Sequence, residues 1–206
     1  MDATESNAWF EQNFGNPDVM AIFRGYGVPR TLELAERAWS AGIKLVEVPI
    51  QSPGDLEALE ATAVLGGASG RLVGAGTVTT RSQVEQAKRH GAAFVVSPGL
   101  DTSIVSESLA AGLPALPGVS TASELQVALG LGLRWVKVFP AAVLGASWFR
   151  ILRGPFPEVR FVATGGLTAA SAPEFLAAGV RVVAVGSAVE NDAELTALAG
   201  ILTPGS

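Results

Sequence analysis

Apolar and polar positions along the chain follow two alternating rhythms. Short β-branched or apolar runs occupy residues 19–23, 45–48, 72–74, 94–96, 115–116, 135–139, 159–162 and 182–185. Between them lie Ala/Leu/Glu-rich stretches with helical spacing, at 31–41, 55–65, 82–90, 103–111, 122–131 and 173–178. The first kind predicts strands and the second amphipathic helices. Helix starts are marked by Thr80 with Gln83 and by Thr121 with Glu124, which have capping-box spacing. Pro173 suits a first helical turn. Helix ends are marked by Gly42, Gly91, Gly112, Gly132 and Gly179, residues able to take the left-handed conformation. Residues 145–157 form the least regular link, and residues 1–17 predict a short N-terminal helical segment.

Strand then helix, repeated about eight times, predicts parallel strands joined by crossover helices. An open doubly wound sheet and a closed (β/α)8 TIM barrel both fit that alternation. An internal near-repeat favours the barrel. Ala41-Gly-Ile-Lys-Leu-Val-Glu-Val-Pro49, His90-Gly-Ala-Ala-Phe-Val-Val-Ser-Pro98, Leu131-Gly-Leu-Arg-Trp-Val-Lys-Val-Phe139 and Ala178-Gly-Val-Arg-Val-Val-Ala-Val-Gly186 each run from a helix-ending glycine into a strand. They fall on the second, fourth, sixth and eighth strands. Alternate strands of an eightfold barrel supply one interior layer. Aligned on the glycine, that layer reads Glu47, Val96, Lys137 and Ala184. The expected fold is therefore α/β, with all 206 residues in one barrel domain.

Composition narrows the chemistry such a barrel can perform. The 206 residues carry a formal net charge of −5, no cysteine and one histidine, with 49% hydrophobic and 16% charged residues. A large core is affordable, and disorder is not expected. The negative balance argues against a nucleic-acid partner, which needs a basic face to displace counterions. Without cysteine there are no disulfides, thiolate nucleophiles or thiolate metal sites, and a lone His90 excludes a two-histidine metal centre. His90, after Lys88 and Arg89, reads as a helix-end cap. No run approaches the ~20 apolar residues of a membrane span, and the acidic N-terminus does not read as a signal peptide, so a cytoplasmic protein without a membrane partner is expected.

The candidate chemistry then rests on a few side chains. Lys137 stands in an apolar strand, Trp135-Val-Lys-Val-Phe139. Burial disfavours an ammonium, and a neutral amine can attack a ketone to form a Schiff base. The competing reading is a lysine that snorkels to solvent. Glu47, in the same layer, is either a structural ion-pair acid or the proton shuttle that Schiff-base chemistry requires. A close carboxylate would hold the lysine charged, so a separation of one water is expected.

Thr164-Gly165-Gly166 and Gly186-Ser187 follow the seventh and eighth strands, where barrels commonly bind phosphate through backbone amides. Thr77, ending Gly74-Ala-Gly-Thr77, offers a hydroxyl to a carbonyl or carboxylate, or else simply turns the chain. Arg24, ending the first strand, suits a carboxylate or phosphate at the mouth, or else a surface ion pair. Gln51, in the loop after Glu47, is a candidate for substrate hydroxyls.

Several segments together resemble a known family. These are Glu47-Val-Pro-Ile-Gln-Ser-Pro53, Gly74-Ala-Gly-Thr-Val78, Val96-Ser-Pro-Gly99, Leu116-Pro-Gly-Val-Ser-Thr121, Lys137-Val-Phe-Pro-Ala141, Gly154-Pro-Phe-Pro157 and Thr164-Gly-Gly166. In order and nearly end to end, they resemble the 2-keto-3-deoxy-6-phosphogluconate/6-phosphogalactonate aldolases, which are class I, pyruvate-forming lyases. The resemblance implies a homotrimeric (β/α)8 barrel, Lys137 as Schiff-base lysine and Glu47 as acid/base. It also implies pyruvate held near Thr77, Pro98 and Phe139, and phosphate held by Thr164, Gly165, Gly166 and Ser187. The substrate it implies is a small phosphorylated keto acid, and the chemistry needs neither cofactor nor metal.

The chain departs from the gluconate branch where that branch has Thr-Leu-Arg-Thr after the glutamate. Here the run is Pro49-Ile-Gln-Ser52, closer to the Pro-Leu-Asn-Ser-Pro run of the galactonate branch. Ala163 replaces a gluconate-type proline, and Ala142 and Gly145 stand where that type has a Glu and a glycine pair. The galactonate epimer is therefore the expected substrate, with Arg24 gripping its carboxylate. The alternative is 2-keto-3-deoxy-6-phosphogluconate, or 4-hydroxy-2-oxoglutarate, cleaved by the same mechanism; a phosphosugar isomerase or epimerase, or a silent phosphosugar-binding barrel, are more distant readings.

Overall fold

The computed structural model describes residues 1–15 and 18–202. Among the described residues the strands are β1 (Asp18–Ile22), β2 (Leu45–Pro49), β3 (Val73–Gly76), β4 (Phe94–Val96), β5 (Ala115–Leu116), β6 (Gly118–Val119), β7 (Trp135–Val138), β8 (Arg160–Thr164) and β9 (Val182–Val185). They form one parallel sheet in the order β5-β4-β3-β2-β1-β9-β8-β7-β6. Its two ends, β5 and β6, are separated only by Pro117, which has no N–H to donate to a ladder.

Both halves of that short stretch pair outward. Ser97 donates to the Leu116 carbonyl at 3.2 Å, and Phe139 donates to the Val119 carbonyl at 3.1 Å. The Lys137 amide meets the Pro117 carbonyl itself at 2.9 Å. Residues 115–119 thus act as the fifth of eight barrel strands, and the sheet closes. The expected strand at 115–116 is the first half of it. Closure explains why a few apolar residues per strand suffice: a closed sheet has no edge to protect.

The helices that cover the barrel are α2 (Gly27–Ser40), α3 (Pro53–Gly67), α4 (Arg81–Arg89), α5 (Thr102–Ala110), α6 (Ala122–Gly130), α7 (Ala141–Leu144), α8 (Ala146–Leu152), α9 (Ala172–Ala177) and α10 (Asp192–Leu202), with a 3-10 turn at Ser187–Glu190. Both expected capping boxes are formed, and Gly42, Gly91, Gly112, Gly132 and Gly179 all have positive φ. His90 ends α4 with its Nδ1 2.9 Å from the Gln86 carbonyl, as a cap does. The link expected to be irregular, residues 145–157, instead carries α8, and α7 lies just before it. Gly145, at φ 75°, breaks what would otherwise be one helix into two. No helix among the described residues is long and apolar enough to cross a membrane.

The N-terminal segment is helix α1 (Ala3–Asn13), capped at Asp2; residues 16 and 17 of the expected 1–17, and residues 203–206, lie outside the described residues. α1 closes the floor of the barrel. Its Phe10, and Phe14 just after the helix, are buried against Phe94 and Trp135, with Phe14 ring centroids 5.6 and 5.4 Å away. Burying one such side chain contributes about 1.5–3 kcal/mol.

Strand residues alternate between two cores. Val46, Val48, Val136, Val138, Val183 and Val185 face the helices. Met20, Ile22, Leu45, Val96, Val162, Val182 and Ala184 join the aromatic floor inside the barrel. Val96 and Ala184 lie inside, as the alternate-strand layer requires, and Glu47 and Lys137 meet there.

Candidate active site

Above the aromatic floor the interior turns polar. Lys137 is 3% exposed and Glu47 is 0% exposed. Lys137 Nζ stands 3.9 Å from Glu47 Oε1, on strands from opposite sides of the barrel. This is longer than the ~2.7–2.9 Å of a charge-assisted hydrogen bond. It is also shorter than the two hydrogen-bond lengths, roughly 5.5 Å, of an in-line bridging water. The gap is therefore narrower than the expected width of one in-line water.

Neither Glu47 oxygen accepts a hydrogen bond from the protein among the described residues. A buried carboxylate with no donors is costly unless a cation or ligand answers it. Lys137 Nζ at 3.9 Å is the partner that answers it, and Phe139 adds its ring face 5.5 Å from Nζ.

A cavity of about 660 Å³ opens at the carboxyl ends of the strands, the face on which barrel active sites sit. It brings together Arg24, Thr77, Pro98, Lys137, Phe139, Thr164, Gly165, Gly166, Gly186 and Ser187. Two of the sequence-derived candidates do not line it. Glu47 lies behind Lys137, wholly buried. Gln51 lies to one side and is exposed, and its carboxamide oxygen accepts a hydrogen bond from the Arg24 guanidinium.

The Gln51 backbone is held from both directions. Asp55 accepts from the Gln51 and Ser52 amides at 3.0 and 2.8 Å, while Gln83 donates to the Ile50 carbonyl at 2.8 Å. A third capping box, Ser52 with Asp55, anchors this loop to α3.

Thr77 has φ 57°, the left-handed region that a β-branched residue enters only under constraint. Thr164 Oγ1 is buried in the cavity wall and bonds to no protein group among the described residues. Gly165 and Gly166 both have positive φ, and a Cβ at Gly165 would lie 2.9 Å from the Phe139 ring. A glycine there lets the loop after β8 close down against the aromatic wall. Ile22, Tyr26, Leu167 and Thr168, none of them a sequence-derived candidate, also line the cavity. For Tyr26 a signal existed: it stands between two glycines, Gly25 and Gly27.

A (β/α)8 barrel with a buried lysine–glutamate pair under a mouth of loop glycines and an arginine has the equipment of an enzyme acting on an anionic carbonyl compound. The model of the KDPG and KHG aldolases matches residues 11–198, and the chain belongs to that family. It is a carbon–carbon lyase. It is 38% identical over 160 residues to the 2-dehydro-3-deoxy-phosphogluconate aldolase of Treponema pallidum (strain Nichols), covering 77% of this chain and 75% of that one. It is 31% identical over 172 residues to a probable 2-dehydro-3-deoxy-6-phosphogalactonate aldolase of Rhizobium meliloti (strain 1021), covering 83% and 81%. Among solved structures, the KDPG aldolase of Legionella pneumophila, with pyruvate captured at low pH as a covalent carbinolamine intermediate, superposes with a TM-score of 0.78 at 30% identity. That superposition covers 91% of this chain and 93% of that one.

Proposed function

We propose that this aldolase cleaves 2-keto-3-deoxy-6-phosphogalactonate to pyruvate and glyceraldehyde 3-phosphate, with Lys137 as the Schiff-base amine. The observation that carries the reading is the buried Lys137–Glu47 pair at 3.9 Å beneath the cavity. A proton passes from Lys137 to Glu47, and the neutral Nζ then adds to the C2 ketone; its proton moves to the C2 oxygen to give a neutral carbinolamine. Glu47 protonates the C2 oxygen, which leaves as water and yields the iminium. Glu47, now a carboxylate, takes the proton of the C4 hydroxyl directly or through a water beside the pair. The C3–C4 bond breaks, its electrons pass to the iminium, and the aldehyde departs. The enamine carbon then regains a proton, and water hydrolyses the iminium to pyruvate and free Lys137. The iminium is the electron sink throughout.

The other roles follow from position in the cavity. Thr77, Pro98 and Phe139 line the cavity together with Lys137, and in this reading they hold the pyruvyl half. Thr164, Gly165, Gly166, Gly186 and Ser187 line the end where barrels hold phosphate. Arg24 takes the substrate carboxylate, and Gln51 orients Arg24 rather than touching the substrate.

The galactonate epimer is supported by Pro49-Ile-Gln-Ser52 and by the Rhizobium relative. The gluconate epimer is the second reading, and the more similar Treponema relative favours it. Homotrimeric assembly belongs to the same proposal, supported by exposed Val143 and Ile151 on α7 and α8. So does a cytoplasmic place, where a charged sugar acid phosphate is retained. Glyceraldehyde 3-phosphate release from the two C4 epimers, assayed side by side, tests the substrate. A kcat/KM higher for the galactonate is expected, and equal or reversed values would assign the gluconate reading instead.

A further inference from the structure

Arg24 and Tyr26 reach the mouth from a loop built on two left-handed glycines. Gly25 has φ 72° and Gly27 φ 69°, and a Cβ at either would meet nothing within 4 Å. The glycines are therefore needed for the backbone turn and not for space. The turn directs Tyr26 into the cavity wall, where its hydroxyl donates to Glu190 Oε1. Glu190 ends the 3-10 turn Ser187–Glu190, whose first residue, with Gly186, lines the same cavity.

Two arginines of the same helix complete the contact. Arg30 Nη2 lies 4.0 Å from Glu190 Oε2, and Arg37 Nη2 donates to the Glu190 carbonyl at 3.4 Å and to the Asp192 carboxylate. The far end of the 3-10 turn is thus clamped by three side chains from the α2 end of the molecule. Burial, and then the Glu190 hydrogen bond and charge, push the Tyr26 phenol up to about 12, so it stays a donor at neutral pH. Without Tyr26 the Glu190 carboxylate keeps the Arg30 ion pair at 4.0 Å but loses its hydrogen bond, so more of its charge stands three residues from Ser187, against an incoming phosphate dianion.

We propose that Tyr26 is a positioning residue for the phosphate end of the substrate: by engaging Glu190 it fixes the Gly186–Ser187 segment and offsets part of the Glu190 charge beside it. The inference rests on the proposed phosphorylated substrate. Among the described residues the Tyr26 hydroxyl bonds Glu190 and neither Lys137 nor Glu47, so its expected effect is on KM.

The test compares two reactions of the same protein. Cleavage of 2-keto-3-deoxy-6-phosphogalactonate, or of the gluconate epimer if that is preferred, needs the phosphate end. Exchange of pyruvate methyl protons with deuterated water, followed by NMR, needs only the lysine end. Tyr26→Phe is expected to raise KM for the phosphorylated substrate about tenfold, the scale of one hydrogen bond to a charged group. Both kcat and the pyruvate exchange should stay within about twofold of the parent. Adding Glu190→Gln should bring KM back to within about threefold of the parent, because the freed group is then uncharged. A Tyr26→Phe variant with unchanged KM, or with cleavage and exchange slowed alike, would overturn the proposal. If the parent protein exchanges pyruvate but cleaves neither phosphorylated epimer, the substrate reading fails instead.

Discussion

Glu47 Oε1 lies 2.0 Å from the point where a Cβ on Gly76 would stand. No side chain fits there while the carboxylate keeps its place beside Lys137. Gly76→Ala must therefore move Glu47, since backbone on β3 is held by its ladder with β2. The expected outcome is a fall in kcat of at least ~100-fold, the scale of lost general acid–base help, with the barrel still folded by circular dichroism. Unchanged kcat would mean that the position of Glu47 does not matter to the chemistry.

Arg24 is held by a neutral acceptor, and that choice has a consequence. Gln51 leaves the guanidinium with its full charge for an anion, whereas a carboxylate in its place would claim it. Gln51→Glu should raise KM at least ~10-fold with little change in kcat, and Gln51→Asn should fall between it and the parent. Steady-state kinetics on the preferred epimer reads both. Equal KM values for the three proteins would remove Arg24 from carboxylate binding.

Thr77 holds a left-handed backbone, φ 57°, at the cavity wall. Strain of this kind costs about 1–3 kcal/mol and is retained where function uses it. Thr77→Gly should raise unfolding stability by ~1 kcal/mol and lower kcat/KM by at least ~10-fold. Urea denaturation and kinetics on the same sample check the pair of effects, and a gain in stability without loss of activity would make Thr77 a simple turn residue.

Glu124 caps α6, accepting from the amides of Ser120 and Thr121 at 2.8 and 2.9 Å and from both hydroxyls. Partial burial raises its pKa, but these donors outweigh it and hold the carboxyl below its ordinary value of 4.5. A carboxyl depressed in the folded state adds stability above the unfolded pKa and loses it as pH falls through the folded one. Glu124→Gln should thus cost ~1 kcal/mol at pH 7, and the difference should begin to shrink as pH falls past the ordinary carboxyl value and disappear only once pH is below the lowered folded pKa. Parallel urea titrations at pH 3, 5 and 7 measure it, and a pH-independent difference would contradict the assignment.

The interior layer could be read from the chain because closure makes alternate strands equivalent, so a helix-ending glycine fixed the register of Glu47 and Lys137. The place of Gly165 and Gly186 at the cavity mouth was equally plain, since they follow strands whose order sets it. The partnership of Tyr26 with Glu190 was not, because it joins residues 164 positions apart. Likewise the left-handed backbone of Thr77 is imposed by tertiary packing against the residue's own preference, and leaves no local trace. Gln51 misled in a different way: its type suits a hydroxyl, but Arg24 reaches it first. The two short helices α7 and α8 are four and seven residues long, too brief for a period to show.

Reduction with borohydride in the presence of pyruvate is the most direct measurement of the central claim. Lys137 as the Schiff-base amine predicts irreversible inactivation and a pyruvyl adduct, located by peptide mass spectrometry on Lys137 alone. Lys137→Met should then form no adduct and cleave no substrate while keeping its fold. An adduct on another lysine, no adduct at all, or activity retained by Lys137→Met would contradict the account.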